Sequence, residues 1–128
     1  MRVSQPDHFA RYVKDLDRSS RWYQEILGLE PRRKDEWWTD RGRFFGNGEV
    51  LIALFQHSPG ETYSSKGMPG FNHQAFRVSA EDYDQYKTFL REKKVSFSEM
   101  DHKISWSIYF QDPDDYWVEI TTYEKSRG

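Results

Sequence analysis

The chain has 128 residues, a formal charge of −2 and no cysteine. That length suits one domain or two small ones, and folding at this size buries roughly two-thirds of the surface the unfolded chain exposes. The balanced charge excludes the basic footprint of a nucleic-acid-binding protein, the missing thiols exclude disulfides, thiolate metal sites and a cysteine nucleophile, and no run of about 18 apolar residues is present to span a membrane. The N-terminal stretch lacks an apolar signal region, so a cytoplasmic protein is expected. A hydrophobic content of 36% leans toward disorder, yet the chain carries five Trp, eight Tyr and nine Phe. Disordered chains are poor in aromatics. Aromatics in this number supply a core and suit the walls of a ligand pocket.

In chain order, Asp7 to Lys14 alternates as a strand, with His8, Ala10 and Tyr12 on one face and Phe9, Arg11 and Val13 on the other. Asp15 or Asp17 caps a helix carrying Trp22, Tyr23, Ile26 and Leu27 at helical spacing, and Gly28 ends it. Leu29–Arg33, Glu36–Thr39 and Arg43–Phe45 read as short strands. Gly46-Asn47-Gly48 is a turn, and Val50–Phe55 is a central strand. Residues 58–70 are rich in Gly, Pro and Ser and read as a connector or a lid. The order then restarts. Asn72–Val78 is a strand with His73, Ala75 and Arg77 on one face. Ser79 caps a helix bearing Tyr83, Tyr86, Phe89 and Leu90. Val95–Phe97, Ser105–Phe110 and Tyr116–Tyr123 are strands, with Asp112-Pro113-Asp114-Asp115 turning between the last two. His8 to His73 and Val13 to Val78 share an offset of 65 residues. Two β-α-β-β-β modules, about 5–57 and 71–123, are therefore expected to pair as a single domain of α+β class, with a curved sheet around a trough.

The residues that carry a family likeness are Asp7-His8-Phe9 leading into Tyr12–Asp17, Arg21–Leu29, Asn72–Val78, and Tyr109–Ile120. Together they span nearly the whole chain, and the sequence resembles the vicinal oxygen chelate superfamily of glyoxalases, extradiol dioxygenases, fosfomycin-resistance enzymes and bleomycin-resistance proteins. The resemblance implies a divalent cation (Fe, Mn, Zn, Ni or Co) in the trough, with His8, His73 and Glu119 where the family's ligands sit. Two imidazoles and a carboxylate with open positions also form a facial triad on chemical grounds. A fourth family ligand belongs at Ile52, Ala53 or Leu54, none of which binds metal, and this favours the three-ligand members. Ser107 and Tyr109 follow the fosfomycin group, whereas Ala10 replaces that group's phosphonate-contacting threonine.

Glu119 lies between Val118 and Ile120, and a buried carboxylate needs a partner, either a metal or Arg77. His102 or His57 is a candidate general acid/base, and Tyr109 or Tyr63 a candidate proton or hydrogen-bond donor. Trp37, Phe45, Phe55, Phe76 and Arg77 are candidate substrate contacts. The resulting expectation is a metal-dependent lyase, dioxygenase or transferase that holds a small substrate through two oxygens and works as a homodimer. The alternative is a metal-free protein that sequesters a small aromatic, cationic ligand, as bleomycin-resistance proteins do.

Overall fold

The computed structural model describes residues 1–2, 6–49, 51–58 and 73–124. The chain divides into two compact units, Met1–Ser64 and Ser65–Gly128. The first contains β1 (Phe9–Val13), α1 (Leu16–Glu25), β2 (Glu30–Pro31), α2 (Lys34–Trp37), β3 (Gly42–Gly46) and β4 (Ile52–Gln56); the second contains β5 (His73–Arg77), α3 (Ala80–Glu92), β6 (Ser98–Asp101), β7 (Trp106–Gln111) and β8 (Trp117–Thr122). Each unit folds its strands into one four-stranded mixed sheet, ordered β1-β4-β3-β2 and β5-β8-β7-β6. The two sheets share one topology: the strand before the helix pairs in parallel with the last strand, and the remaining pairs are antiparallel. The internal repeat is thus a repeat of topology as well as of spacing.

The two long helices, α1 and α3, start where their caps stand. Asp15 accepts a hydrogen bond from the Arg18 backbone N–H at 3.0 Å, and Ser79 accepts from Asp82 at 3.2 Å, which satisfies an orphan donor of the first turn. Gly28 follows α1 with φ +65°, the left-handed conformation that glycine adopts without a Cβ penalty. The helix-facing side of each sheet is apolar: Val13, Phe45, Ile52 and Leu54 in the first unit, Ile108, Phe110, Val118 and Ile120 in the second, all essentially buried. Arg11 reaches from β1 to α1 and donates to the Tyr23 hydroxyl at 2.7 Å, so this buried cation is matched by a polar partner. Across the second unit, the Tyr83 hydroxyl donates to Glu99 at 2.7 Å and Lys87 joins the same carboxylate at 3.0 Å. The Asp112 turn closes the last hairpin as its chemistry implies: the Asp112 carboxylate accepts from the backbone N–H groups of Asp114 and Tyr116 at 2.8 and 2.9 Å.

Three elements differ from the sequence reading. Glu36 and Trp37 lie in or close the short helix α2, because Arg33 turns the chain with φ +54° and its carbonyl accepts from Glu36 and Trp37. The helix stops at Trp38, whose indole N–H donates to the Arg32 carbonyl. The strand from Leu29 shrinks to Glu30–Pro31, since proline has no N–H for a ladder. In the second unit Val95 closes the end of α3, its N–H bonded to the Leu90 carbonyl, so the strand begins at Ser98 instead. The connector or lid expected at 58–70, together with Tyr63, lies outside the described residues from residue 59 onward.

Candidate metal and substrate site

The second unit gathers four of the candidate residues on the sheet face turned away from α3. In register, β8 residue Glu119 stands between Ala75 of β5 and Tyr109 of β7. Alternation puts His73, Ala75 and Arg77, Ser107 and Tyr109, and Glu119 and Thr121 on this one face. His73 Nε2 lies 2.9 Å from Glu119 Oε1, and the Ser107 hydroxyl donates to Glu119 Oε2 at 2.7 Å. Both carboxylate oxygens are thereby engaged, which a side chain only 11% exposed requires. Arg77, the other partner foreseen for Glu119, instead lies over the Tyr123 ring at 4.7 Å.

Tyr109 flanks the pair, its ring edge-on to His73 at 5.9 Å. Its hydroxyl shares a 2.7 Å hydrogen bond with His102 Nε2. Burial pushes the Tyr109 phenol up from its ordinary value, and the nearby Glu119 charge adds to the effect, so the hydroxyl holds its proton and can donate it. His102 is presented by a tight turn in which Lys103 takes φ +74° and donates its N–H to Asp101 at 2.7 Å.

The first unit has the matching arrangement with one gap. His8 precedes β1, and its Nδ1 lies 2.7 Å from the Asp7 carboxylate. A carboxylate on Nδ1 fixes the proton there and leaves Nε2 with a lone pair, the usual dress of a metal-bound imidazole. In register, Ala10 stands beside Ala53, as Ala75 stands beside Glu119. Ala53 is therefore the position equivalent to Glu119, which resolves the three candidates read from the repeat. Beside it runs a row of rings: Trp37 to Phe44 at 5.4 Å, Phe44 to Phe55 at 5.9 Å and Phe55 to Tyr12 at 6.3 Å.

Trp37 and Phe55 therefore lie on the His8 side of the first sheet. Phe45 and Phe76 do not share a face with the histidines. Phe45 pairs with Ile52 and is fully buried against the α1 side, and Phe76 pairs with Ile120 on the α3 side. Phe44, another aromatic that the sequence offers for the trough wall, stands opposite Ala53 and joins the ring row. Ser107 was noted only through the family likeness, and its bond to Glu119 gives it a physical role.

Among the described residues, no group of three His, Asp or Glu side chains is placed to hold a metal ion, so the expected set of His8, His73 and Glu119 is represented by the His73–Glu119 pair. The donors present nevertheless suit a divalent cation. Ligand bonds of about 2.1 Å at roughly a right angle separate two donor atoms by about 3 Å, and His73 Nε2 and Glu119 Oε1 are 2.9 Å apart.

A family model described as the Glyoxalase/Bleomycin resistance protein/Dioxygenase superfamily matches residues 5–120. Metallothiol transferase FosB of Staphylococcus epidermidis is 30% identical over 130 residues, covering 95% of this chain and 84% of that protein. Glutathione transferase FosA of Serratia marcescens is 26% identical over 114 residues, covering 89% of this chain and 77% of that protein. Among solved structures, a glyoxylase/bleomycin resistance protein/dioxygenase domain from Frankia sp. EAN1pec superposes with a TM-score of 0.75 at 27% identity, covering 98% of this chain and 96% of that one.

Proposed function

The chain belongs to the Glyoxalase/Bleomycin resistance protein/Dioxygenase superfamily, and we propose that it is a metal-dependent enzyme whose cation is held by His8, His73 and Glu119. The observation that carries this reading is the His73–Glu119 pair, 2.9 Å apart and backed by Ser107. When bound, a divalent cation supplies Lewis acidity to two oxygens of a small substrate. The names of the transferase relatives support that chemistry.

The chain's own residues divide the remaining work. Asp7 keeps His8 in the tautomer whose Nε2 is free to bind. Ser107 holds Glu119 in orientation, so its carboxylate need not reorganise. Tyr109 offers its hydroxyl proton to an oxygen developing negative charge, and an N–H at His102 Nε2 replaces that proton on the Tyr109 oxygen across the 2.7 Å bond. Trp37, Phe55 and Phe44 supply apolar contact to the substrate, and Arg77 lies at the far end of the His73 face. Lyase, dioxygenase and transferase chemistries all begin from this arrangement. By analogy with the family, the modules 5–57 and 71–123 form one domain, the enzyme is a homodimer, and it works in the cytoplasm. Among the described residues no helix is long and apolar enough to cross a membrane.

The test is turnover of diols, epoxides and hemithioacetals by protein stripped with a chelator and reloaded with Mn, Fe, Co, Ni or Zn. Activity that vanishes on stripping, returns with one of these ions and is lost in Tyr109→Phe supports the proposal. The aromatic row of the first unit favours one other reading, metal-free sequestration of an aromatic ligand. That reading predicts tight ligand binding indifferent to chelator, with no turnover.

A further inference from the structure

A cleft of about 200 Å³ opens within the first unit, lined by Asp7, His8, Arg33, Trp37, Phe44 and Glu49. We infer that it is the subsite for a single aromatic ring, uncharged or cationic, of the substrate that His8 faces. This deepens the metal-enzyme reading and rests on it for the ring's link to the reacting oxygens.

Size gives the first argument. A cavity of roughly 150 Å³ with apolar walls accepts benzene, whereas whole drug-sized ligands occupy about 300–1,000 Å³. The cleft thus has room for one ring. Its walls are the second argument. Trp37 and Phe44 meet edge to face at 5.4 Å and 72°, and Trp37 is 49% exposed, so ring surface is available to an incoming ring.

Charge decides which ring. Arg33 is the cation of the lining, and it is already committed. Its guanidinium donates to Glu49 at 3.1 and 3.3 Å and reaches Glu36 at 3.4 Å, and its carbon sits 5.2 Å over Trp37. A left-handed backbone at Arg33, φ +54°, sets the side chain on this course. The carboxylates of Asp7 and Glu49 outnumber it. The lining is net negative and repels an anionic substituent.

The experiment uses the full chain in chelator, with no metal present, and three one-ring probes of similar shape: benzyl alcohol, benzylammonium and benzoate. Affinities are read by ligand-observed NMR, and folding by circular dichroism. Benzyl alcohol and benzylammonium should bind measurably and benzoate about tenfold more weakly, the penalty of one repulsive charge at partial exposure. Trp37→Ala should weaken benzyl alcohol about three- to tenfold, and Trp37→Phe should restore most of it. Glu49→Gln frees the Arg33 charge and should move the preference toward benzoate. Benzoate binding as well as benzyl alcohol in wild type, or no response to Trp37→Ala in folded protein, overturns the inference. So does a change of oligomeric state in Trp37→Ala without ring binding, which would make the cleft a seat for protein side chains. Because no metal is present, ring binding and metal binding fail independently. Loss of the metal reading leaves a ring-binding cleft, and loss of the cleft leaves metal content unchanged.

Discussion

Ser107→Ala separates the support of Glu119 from the carboxylate itself. Ser107 is fully buried, and its hydroxyl is the donor to Glu119 Oε2 at 2.7 Å. The substitution removes one oxygen and leaves the β7–β8 register with Thr121 intact, so the cavity contribution is small. Thr121 lies 2.9 Å from the same hydroxyl but also faces the Trp106 carbonyl at 3.3 Å, so its own hydrogen bonding survives. What remains is a charge-assisted hydrogen bond to a largely buried carboxylate, which contributes about 1.5–3 kcal/mol. Urea unfolding in chelator, followed by circular dichroism and tryptophan fluorescence together, should show a loss of about 2 kcal/mol. Thr121→Val, which leaves the Ser107–Glu119 bond in place, is the control. The same variant should bind metal about 10- to 100-fold more weakly, as changes behind a ligand do. Wild-type stability within about 0.5 kcal/mol, together with unchanged metal affinity, would refute the assigned role.

Three further outcomes follow from the fold. Burial, with the Asp82 charge adding to it, pushes the Tyr86 phenol up to about 12 from its ordinary 10. A raised folded pKa favours the protonated form, so its stabilisation is complete below about pH 10 and fades as pH rises toward about 12; guanidinium midpoints should fall over that window, less steeply in Tyr86→Phe, and equal slopes would contradict the cause. The Gln56 amide accepts from the first residue of α1, Leu16, at 2.9 Å and donates to the Lys14 and His57 carbonyls at 2.8 and 3.1 Å. Gln56→Ala should therefore cost about 2 kcal/mol in urea unfolding, and an unchanged midpoint would show that water replaces the amide. Gly46→Ala should destabilise more than a typical surface change, by upwards of about 2 kcal/mol, because a Cβ there meets the Glu49 carbonyl; thermal melting decides it.

The repeat was legible because topology follows from order. Once His8 and His73 shared an offset with Val13 and Val78, two like modules were implied before any register was known. Caps and turns were legible for the same local reason: Asp15, Ser79 and Asp112 act on backbone groups only two to four residues away. Phase was harder to read. Alternation in Arg43–Phe45 says that Phe44 and Phe45 face opposite ways but not which one faces α1. That choice is made by the face of β3 and β4 that α1 covers, with Phe45 paired to Ile52 and Phe44 to Ala53. The helix at Lys34–Trp37 was hidden because two adjacent tryptophans favour strands, while the left-handed turn at Arg33 that starts it has no residue signature. The partner of Glu119 was half legible. Burial demanded one, and it is the His73 and Ser107 side chains that answer, whereas Arg77 lies two residues along the strand and turns to Tyr123.

The proposed metal centre is tested most directly by elemental analysis of tag-free protein reloaded with Mn, Fe, Co, Ni and Zn in turn. Wild type is run beside His8→Ala, His73→Ala and Glu119→Ala, each checked for folding by circular dichroism. A centre held by these three residues gives about one divalent ion per chain in wild type and loses it in all three folded variants. Full metal content in folded Glu119→Ala, or none in wild type with any of the five ions, would contradict it.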